Sequence, residues 1–240
     1  MTSTEFLSPL ALDFLWESID AGELPYPLSV RSHGMTMDER SALRQRVYGE
    51  LRDQDLLDGR GRIEPHLEDW LTLLARAERS IDSVCQPSDG PAVAVAAGSR
   101  AVLATQTPDG LWLRSIDPDA LASSVVGLLP TAPRGTEPSI TVAADDLPNG
   151  RTHADRQVLA RFARQNNHRA GQLAVNARSP MGGRSRSPVL SWFDTDTGRY
   201  LTYAKRGSDS HEWITIAPAD PPTLRHRLTE LLAAVSAGRG

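Results

Sequence analysis

The spacing of apolar positions changes along this chain, and each change marks an element. Leu10, Phe14 and Leu15 recur at helical spacing within residues 7–19, and Gly22 and Pro25 end that run. "YPLSVRSHG" (26–34) predicts a short strand with Pro27 at its start, where a missing N–H costs least. Thr36 or Asp38 caps a helix over 39–51, whose Leu43, Val47 and Leu51 line one stripe. A further helix over 64–77 has Pro65 in its first turn and Leu67, Trp70, Leu71 and Leu74 on one face. From residue 80 the period drops to two. Strands at 80–85, 91–97, 101–106 and 111–116 are linked by "QPSDG", "GS" and "TPDG", and links this short predict antiparallel neighbours. A helix over 119–129 follows. The order then restarts with a strand at 139–142 and a helix over 153–165 carrying Val158, Leu159 and Phe162. Strands at 171–177, 189–194, 200–205 and 212–216 come next. A last helix over 222–235 is apolar at Leu224, Leu228, Leu231, Leu232 and Val235.

Two stretches make the repetition visible. "GSRAVLATQTPDGLWLRSIDPDAL" begins at Gly98, and "GRYLTYAKRGSDSHEWITIAPADPPTL" begins at Gly198. Each passes from a Gly through a β-rich run, a polar turn and a second β-rich run to Pro/Asp punctuation that opens an amphipathic helix. The pattern predicts a single domain over 1–240 built by internal duplication, with halves at about 1–130 and 138–240. Neither half has enough helices to cover both faces of a four-stranded sheet. The expected fold is therefore α+β. A central antiparallel sheet is flanked by two helical subdomains related by pseudo-two-fold symmetry.

Composition narrows the function. The chain of 240 residues is 40% apolar, and its net charge of −4 comes from 26 basic against 30 acidic residues. Mild acidity argues against a dedicated nucleic-acid binder, which needs a basic face. The first 20 residues hold acids and no base, unlike a signal peptide. No apolar run approaches the ~18 residues of a membrane span, so no membrane insertion is expected. Cys85 is the single cysteine and forms no internal disulfide, which fits a reducing cytoplasm.

No catalytic constellation stands out. His33, His66, His153, His168, His211 and His226 are scattered, without zinc spacing. His66 and His226 read as surface residues and Cys85 as a small core residue. "DTDTG" (194–198) lacks the downstream Glu of a calcium loop and reads as a hairpin turn in which Gly198 supplies a positive φ. No phosphate-binding glycine motif is present, and neither a metal nor a cofactor is expected. "GGRSRSP" (182–188) sets Arg184 and Arg186 on a Gly-rich loop. It reads as a flexible connector, with an anion cradle or a contact to an acidic partner as the other possibilities.

The unusual residues lie elsewhere. "LSWFD" and "GRYLTYAK" place Trp192, Phe193, Tyr200 and Tyr203 on adjacent strands of one hairpin. Alternation sets Leu190 and Trp192 on one face with Ser191 and Phe193 on the other. It likewise separates Tyr200 and Thr202 from Leu201 and Tyr203. Cross-strand aromatic pairs stabilise sheets, and they also make adhesive surfaces when one face stays open.

Taken in order, several stretches resemble the EspG family, the cytosolic chaperones of type VII (ESX) secretion in actinobacteria. They are "LDFLWESIDAGELPYPLSVRSHG", "ERSALRQRVYGELRDQDLLDGRGRIEPHLEDWLTLLARAERSID", "GSRAVLAT", "VVGLLP", "LSWFDTDTGRYL" and "IAPADPPTLRHRLTELL". The resemblance implies a non-enzymatic protein that binds the hydrophobic tip of the PPE subunit of a PE–PPE heterodimer. The bound substrate stays soluble and reaches its own secretion machine. A WXG-like helical hairpin is the other substrate class. The candidate partner-binding residues are Trp192, Phe193, Tyr200, Thr202 and Tyr203 on the second-half strands and Leu224, Arg225 and Leu228 on the last helix. Free, the chain is expected as a monomer or a homodimer. The competing reading is a homodimeric structural or regulatory protein on the same fold.

Overall fold

The computed structural model describes residues 3–87, 90–146, 150, 152–179, 181–207 and 211–237. Two positions of the expected turn "QPSDG", 88 and 89, lie outside these. The chain forms two compact units, Met1–Asp82 with Gly90–Ser124 and Ser83–Asp89 with Val125–Gly240.

The first unit opens with β1 (Thr4–Leu7), α1 (Pro9–Ser18), α2 (Met37–Asp53) and α3 (Pro65–Arg76). Then come β2 (Arg79–Gln86, through Asp82 in this unit), β3 (Ala92–Ala97), β4 (Arg100–Thr107) and β5 (Gly110–Ser115). The strand order is β1-β5-β4-β3-β2, and the β1–β5, β5–β4 and β4–β3 ladders are antiparallel. The first helix starts two residues later than its apolar spacing suggests. Ser8 accepts the Ala11 N–H at 3.1 Å as the cap, Pro9 takes the first helical position, and Leu7 is left to β1. Thr36, not Asp38, caps α2. Its hydroxyl accepts the Glu39 N–H at 3.2 Å, and the Glu39 carboxylate accepts the Thr36 N–H in return.

Residues 26–34 form no strand. Their backbone meets a side chain instead, because the Gln106 amide pairs with both the N–H and the carbonyl of Ser29. Asp13 on α1 accepts the His33 N–H at 2.7 Å, and Arg40 donates to the His33 carbonyl at 2.6 Å and to Glu17 at 2.7 Å. The Arg40 guanidinium thereby holds the Glu17 carboxyl below its usual range. Leu12, Leu15, Val47, Leu51, Leu67 and Leu71 from the helices pack with Leu7, Val93, Val95, Val102, Leu111 and Leu113. The six sheet residues share one face, so a period of two meets a period of 3.6 across a single core.

The second unit contains β6 (Ile140–Ala143), α5 (His153–Ala163), β7 (Arg169–Arg178), β8 (Arg184–Arg186) and β9 (Leu190–Thr195). It closes with β10 (Gly198–Arg206), β11 (Glu212–Pro218) and α6 (Pro221–Ala237). A short α4 (Leu121–Val126) precedes it in the chain. The strand order is β7-β9-β10-β11-β6, with β8 on β7. Both units therefore place their first strand beside the last strand of a meander, β1 beside β5 and β6 beside β11. The 182–188 stretch differs from the flexible connector expected. Its arginines form β8, in register with Asn176, Ala177 and Arg178. Cys85 is half-buried rather than a core residue.

Residues 130–137 are laid along the start of β10. Arg199 donates its N–H to the Pro133 carbonyl at 2.8 Å and its carbonyl accepts the Gly135 N–H at 3.0 Å. The Tyr200 hydroxyl accepts the Glu137 N–H at 3.0 Å. A Cβ on Gly135 would lie 2.3 Å from the Tyr200 ring and 2.8 Å from the Arg199 carbonyl. Gly135→Ala is therefore expected to destabilise by about 1–3 kcal/mol, the cost of overpacking. Gly49 lies inside α2 with open space at its Cβ. Gly49→Ala is expected to stabilise by about 0.5–1 kcal/mol, because alanine removes the glycine penalty in a helix. Paired thermal melts of the two variants check both signs.

Asp220 caps α6. It accepts the backbone N–H of Thr223 at 2.8 Å and its hydroxyl at 2.5 Å, and Arg134 reaches its other oxygen at 3.1 Å. The Thr223 hydroxyl is the chief cause, with the Thr223 N–H and Arg134, that holds this carboxyl below its ordinary 3.8. A depressed carboxyl contributes stability above its unfolded pKa and loses it as pH falls through the folded one. Asp220→Ala is expected to cost about 1 kcal/mol at neutral pH. The gap to the parent protein should close as pH falls below the ordinary 3.8, which urea unfolding at several pH values reads directly.

Candidate partner-binding face

The β9–β10 turn holds two residues, Asp196 and Thr197, since Thr195 pairs with Gly198. Gly198 has a φ of 112°, the positive value its place after the turn asks for. This short turn fixes the register, so Phe193 stands opposite Tyr200, Trp192 opposite Leu201 and Ser191 opposite Thr202.

The two faces of the second unit's sheet differ. One carries Leu173, Leu190, Trp192, Leu201 and Tyr203, and α6 packs on it. Leu224 and Leu228 of α6 are fully buried, and Arg227 both donates to the Tyr203 hydroxyl at 3.0 Å and lies over its ring at 5.0 Å. The opposite face carries Phe193, Tyr200 and Thr202, followed on β11 by Ile214 and Ile216 and on β6 by Ile140 and Val142. Phe162 of α5 covers one corner, edge-on to Tyr200 at 4.9 Å and to Phe193 at 6.3 Å, while Phe193 and Tyr200 stack at 5.6 Å. Beyond that corner Phe193, Thr202, Ala204, Ile214 and Ile216 remain half-buried, and Ala170 and Gln172 are exposed. This is an apolar, partly open sheet face.

The sequence candidates are thus split between two places. Trp192, Tyr200, Leu224 and Leu228 are core residues. Tyr203 is half-buried on the α6 face, and Arg225 is exposed on α6. Phe193 and Thr202 lie on the open face. Ile214 and Ile216 join them there without having been singled out, although the alternation of "EWITIAP" carries the signal. The exposed aromatics among the large apolar side chains, Tyr26 at 60% and Trp112, belong to the first unit. Trp112 is 47% exposed and rests on Phe6, its cross-strand neighbour, at 4.7 Å.

The polar groups do not converge on the open face. Among the described residues no group of three or more His, Cys, Asp or Glu could hold a metal ion. The ion pairs are structural. His168 meets Asp196 at 2.6 Å beside the β9–β10 turn, and Glu137 meets Arg161 at 2.5 Å. No described helix is long and apolar enough to cross a membrane. What the face offers is apolar contact area with strand edges and hydroxyls around it, which suits recognition of another apolar surface.

The sequence model of the EspG family matches residues 8–230. The chain belongs to the EspG family. Its fold agrees with that of a solved structure, the Mycobacterium tuberculosis type VII secretion system chaperone EspG5 in complex with the PE25–PPE41 dimer. The TM-score is 0.71 over 97% of this chain and 96% of that one, at 12% sequence identity. At that identity the likeness is one of fold, an α+β arrangement of antiparallel strands and helices. No curated protein matches the sequence. Among the described residues, the EspG fold here leaves the Phe193–Ile216 side of the second unit's strands only partly covered, by α5.

Proposed function

We propose that this EspG-family chain is a cytosolic, non-enzymatic specificity chaperone of a type VII secretion system. It binds the apolar tip of the PPE subunit of a PE–PPE heterodimer, or of a similar WXG-like helical hairpin, keeps it soluble and hands it on for export. The partner class comes from EspG5, whose structure was determined in complex with the PE25–PPE41 dimer. The observation in this chain that carries the reading is the half-open apolar face formed by Phe193, Thr202, Ile214 and Ile216. An apolar tip on a secreted helical bundle self-associates unless it is covered. A sheet face of matching character covers it without chemistry, and export needs only a finite residence time.

Co-expression with each PE–PPE or WXG-type pair of the same genome, followed by size-exclusion chromatography, tests this. A co-eluting 1:1:1 complex with a PE–PPE pair supports the reading. Elution alone in every case, with light scattering at the mass of a dimer, moves the function to the homodimeric alternative.

A further inference from the structure

We propose that α5 is a displaceable lid on the candidate face. It covers one corner in the free protein, and the partner's tip lifts it off and sets a large apolar side chain where Phe162 lay. The proposal rests on the chaperone reading and concerns how that site is opened.

The packing of α5 is unlike that of the other long helices. α1, α2, α3 and α6 each bury at least two side chains, whereas none of the eleven residues of α5 is buried. The helix is well formed all the same. Thr152 and Asp155 cap it reciprocally, at 3.1 and 3.0 Å. Val158, Leu159 and Phe162 form one apolar stripe, and all three are only half-buried. On the strands Thr202, Ala204, Ile214 and Ile216 are half-buried too. A helix and a sheet face that both keep apolar surface in water have not filled each other.

The order of elements shows why. In the first unit three helices, α1 to α3, lie between β1 and β2, and their leucines close the core against the strands. In the second unit the corresponding interval, from β6 to β7, supplies one α-helix, α5. A sheet face needs a full layer to close it, and one helix of eleven residues is less than a layer.

Two side chains in the last turn of α5 reach across. Arg161 meets Glu137 at 2.5 Å in a partly exposed pair, a kind that contributes little. Phe162 lies edge-on to Tyr200 at 4.9 Å. Tyr200 is 0% exposed, so lifting Phe162 uncovers the edge of its ring. The group that refills this place is aromatic or large and aliphatic, matched to the ring it must cover. The chain just beyond α5 stays anchored meanwhile. Gln165 accepts the Thr197 hydroxyl at 2.9 Å, and His168 donates its N–H to the Asp194 carbonyl at 2.9 Å. α5 can therefore leave the face without disturbing the β9–β10 register. So short a helix is marginal once released into water, which returns it to the face when no partner competes.

Hydrogen exchange and titration calorimetry on the full chain test this, with the PE–PPE or WXG-type pair that it captures. In the free protein the α5 amides should exchange at least about ten-fold faster than those of β9 and β10. In the complex β9 to β11 should gain protection and α5 should lose it. Phe162→Ala should bind the pair about three- to ten-fold tighter, because the contact it deletes competes with the partner. Arg161→Gln leaves the aromatic cluster intact and should shift affinity the same way by less. Exchange in β9 and β10 at the parent rate shows that each variant is folded. Free-state protection of α5 equal to that of β9 and β10 overturns the lid without any partner. Weaker or unchanged binding by both variants, or protection gained by α5 in the complex, makes α5 a fixed part of the surface and overturns the lid while the chaperone reading stands. If the parent protein captures no pair at all, the chaperone reading falls and the lid falls with it.

Discussion

Replacing Arg199 by methionine is expected to lower the unfolding free energy by about 3–5 kcal/mol, the range found when one partner of a buried ion pair is removed. Arg199 is 2% exposed and Asp194 3%. They meet in a bidentate pair, Nε to Oδ1 at 2.6 Å and Nη2 to Oδ2 at 2.8 Å. Nη2 also donates to the Pro130 carbonyl at 2.7 Å, and the guanidinium lies over the Trp192 ring at 4.5 Å. Methionine would fill much of the space but strand the Asp194 carboxylate, leaving it Arg169 at 3.3 Å. It would also remove the donor that ties residue 130 to the hairpin. The substitution therefore strikes a charge, a carbonyl and a ring together. Asp194→Leu/Arg199→Met should recover most of the loss, because neither charge then has to leave water on folding. Urea unfolding of the two single variants and the double reads the coupling. A loss below about 1 kcal/mol for Arg199→Met would place the pair with surface ion pairs in energetic terms and contradict the burial argument.

That pair shows what was legible in the sequence and what was not. The "DTDTG" turn was readable, and a two-residue turn sets Asp194 opposite Arg199 automatically. What gives the pair its weight is the segment 130–137, which covers it through the Pro130 and Pro133 carbonyls. A segment pinned by single backbone bonds has no hydrophobic period, so nothing in its sequence announces it. β1 was hidden for a related reason, since four residues ending at Leu7 merge into the apolar spacing of α1. The 26–34 stretch looks extended, but the amide that pairs with it is the side chain of Gln106, and such a contact has no local signature. The meanders, α3 and α6 were legible because Pro65, Pro221 and the short polar turns punctuate strong periodicity.

The candidate face was legible only in part. Alternation correctly separated Phe193 and Tyr200 from Trp192 and Leu201. It could not say which face a helix covers. Both faces carry large groups, so the decision rests on where α5 and α6 pack. The α6 face closes over Trp192, whereas α5 reaches the other face at Phe162 and leaves Thr202 and Ile216 half open.

Thr202→Glu is the substitution with the largest expected effect on partner capture. Thr202 lies between Ser191 and Ile216 on the open face. A carboxylate there would be buried against an apolar tip with no partner, and an unpaired buried charge is costly. Affinity should fall by about 2–4 kcal/mol, the range of a central hot spot, which is roughly 30- to 1,000-fold. The free protein should keep its melting temperature, because the site is half open without a partner. Phe193→Ala does not separate the two effects so cleanly. Phe193 stacks on Tyr200 and meets Phe162, so its loss weakens the fold as well as the surface. Thr202→Val keeps the shape and should bind as the parent does. Arg225→Glu changes an exposed charge on α6, on the far face, and should change affinity less than about three-fold, within the range of exposed charges. The four variants are compared by titration calorimetry against the captured pair. Normal binding by Thr202→Glu would move the interface off this face, and loss of binding by Arg225→Glu alone would move it to α6.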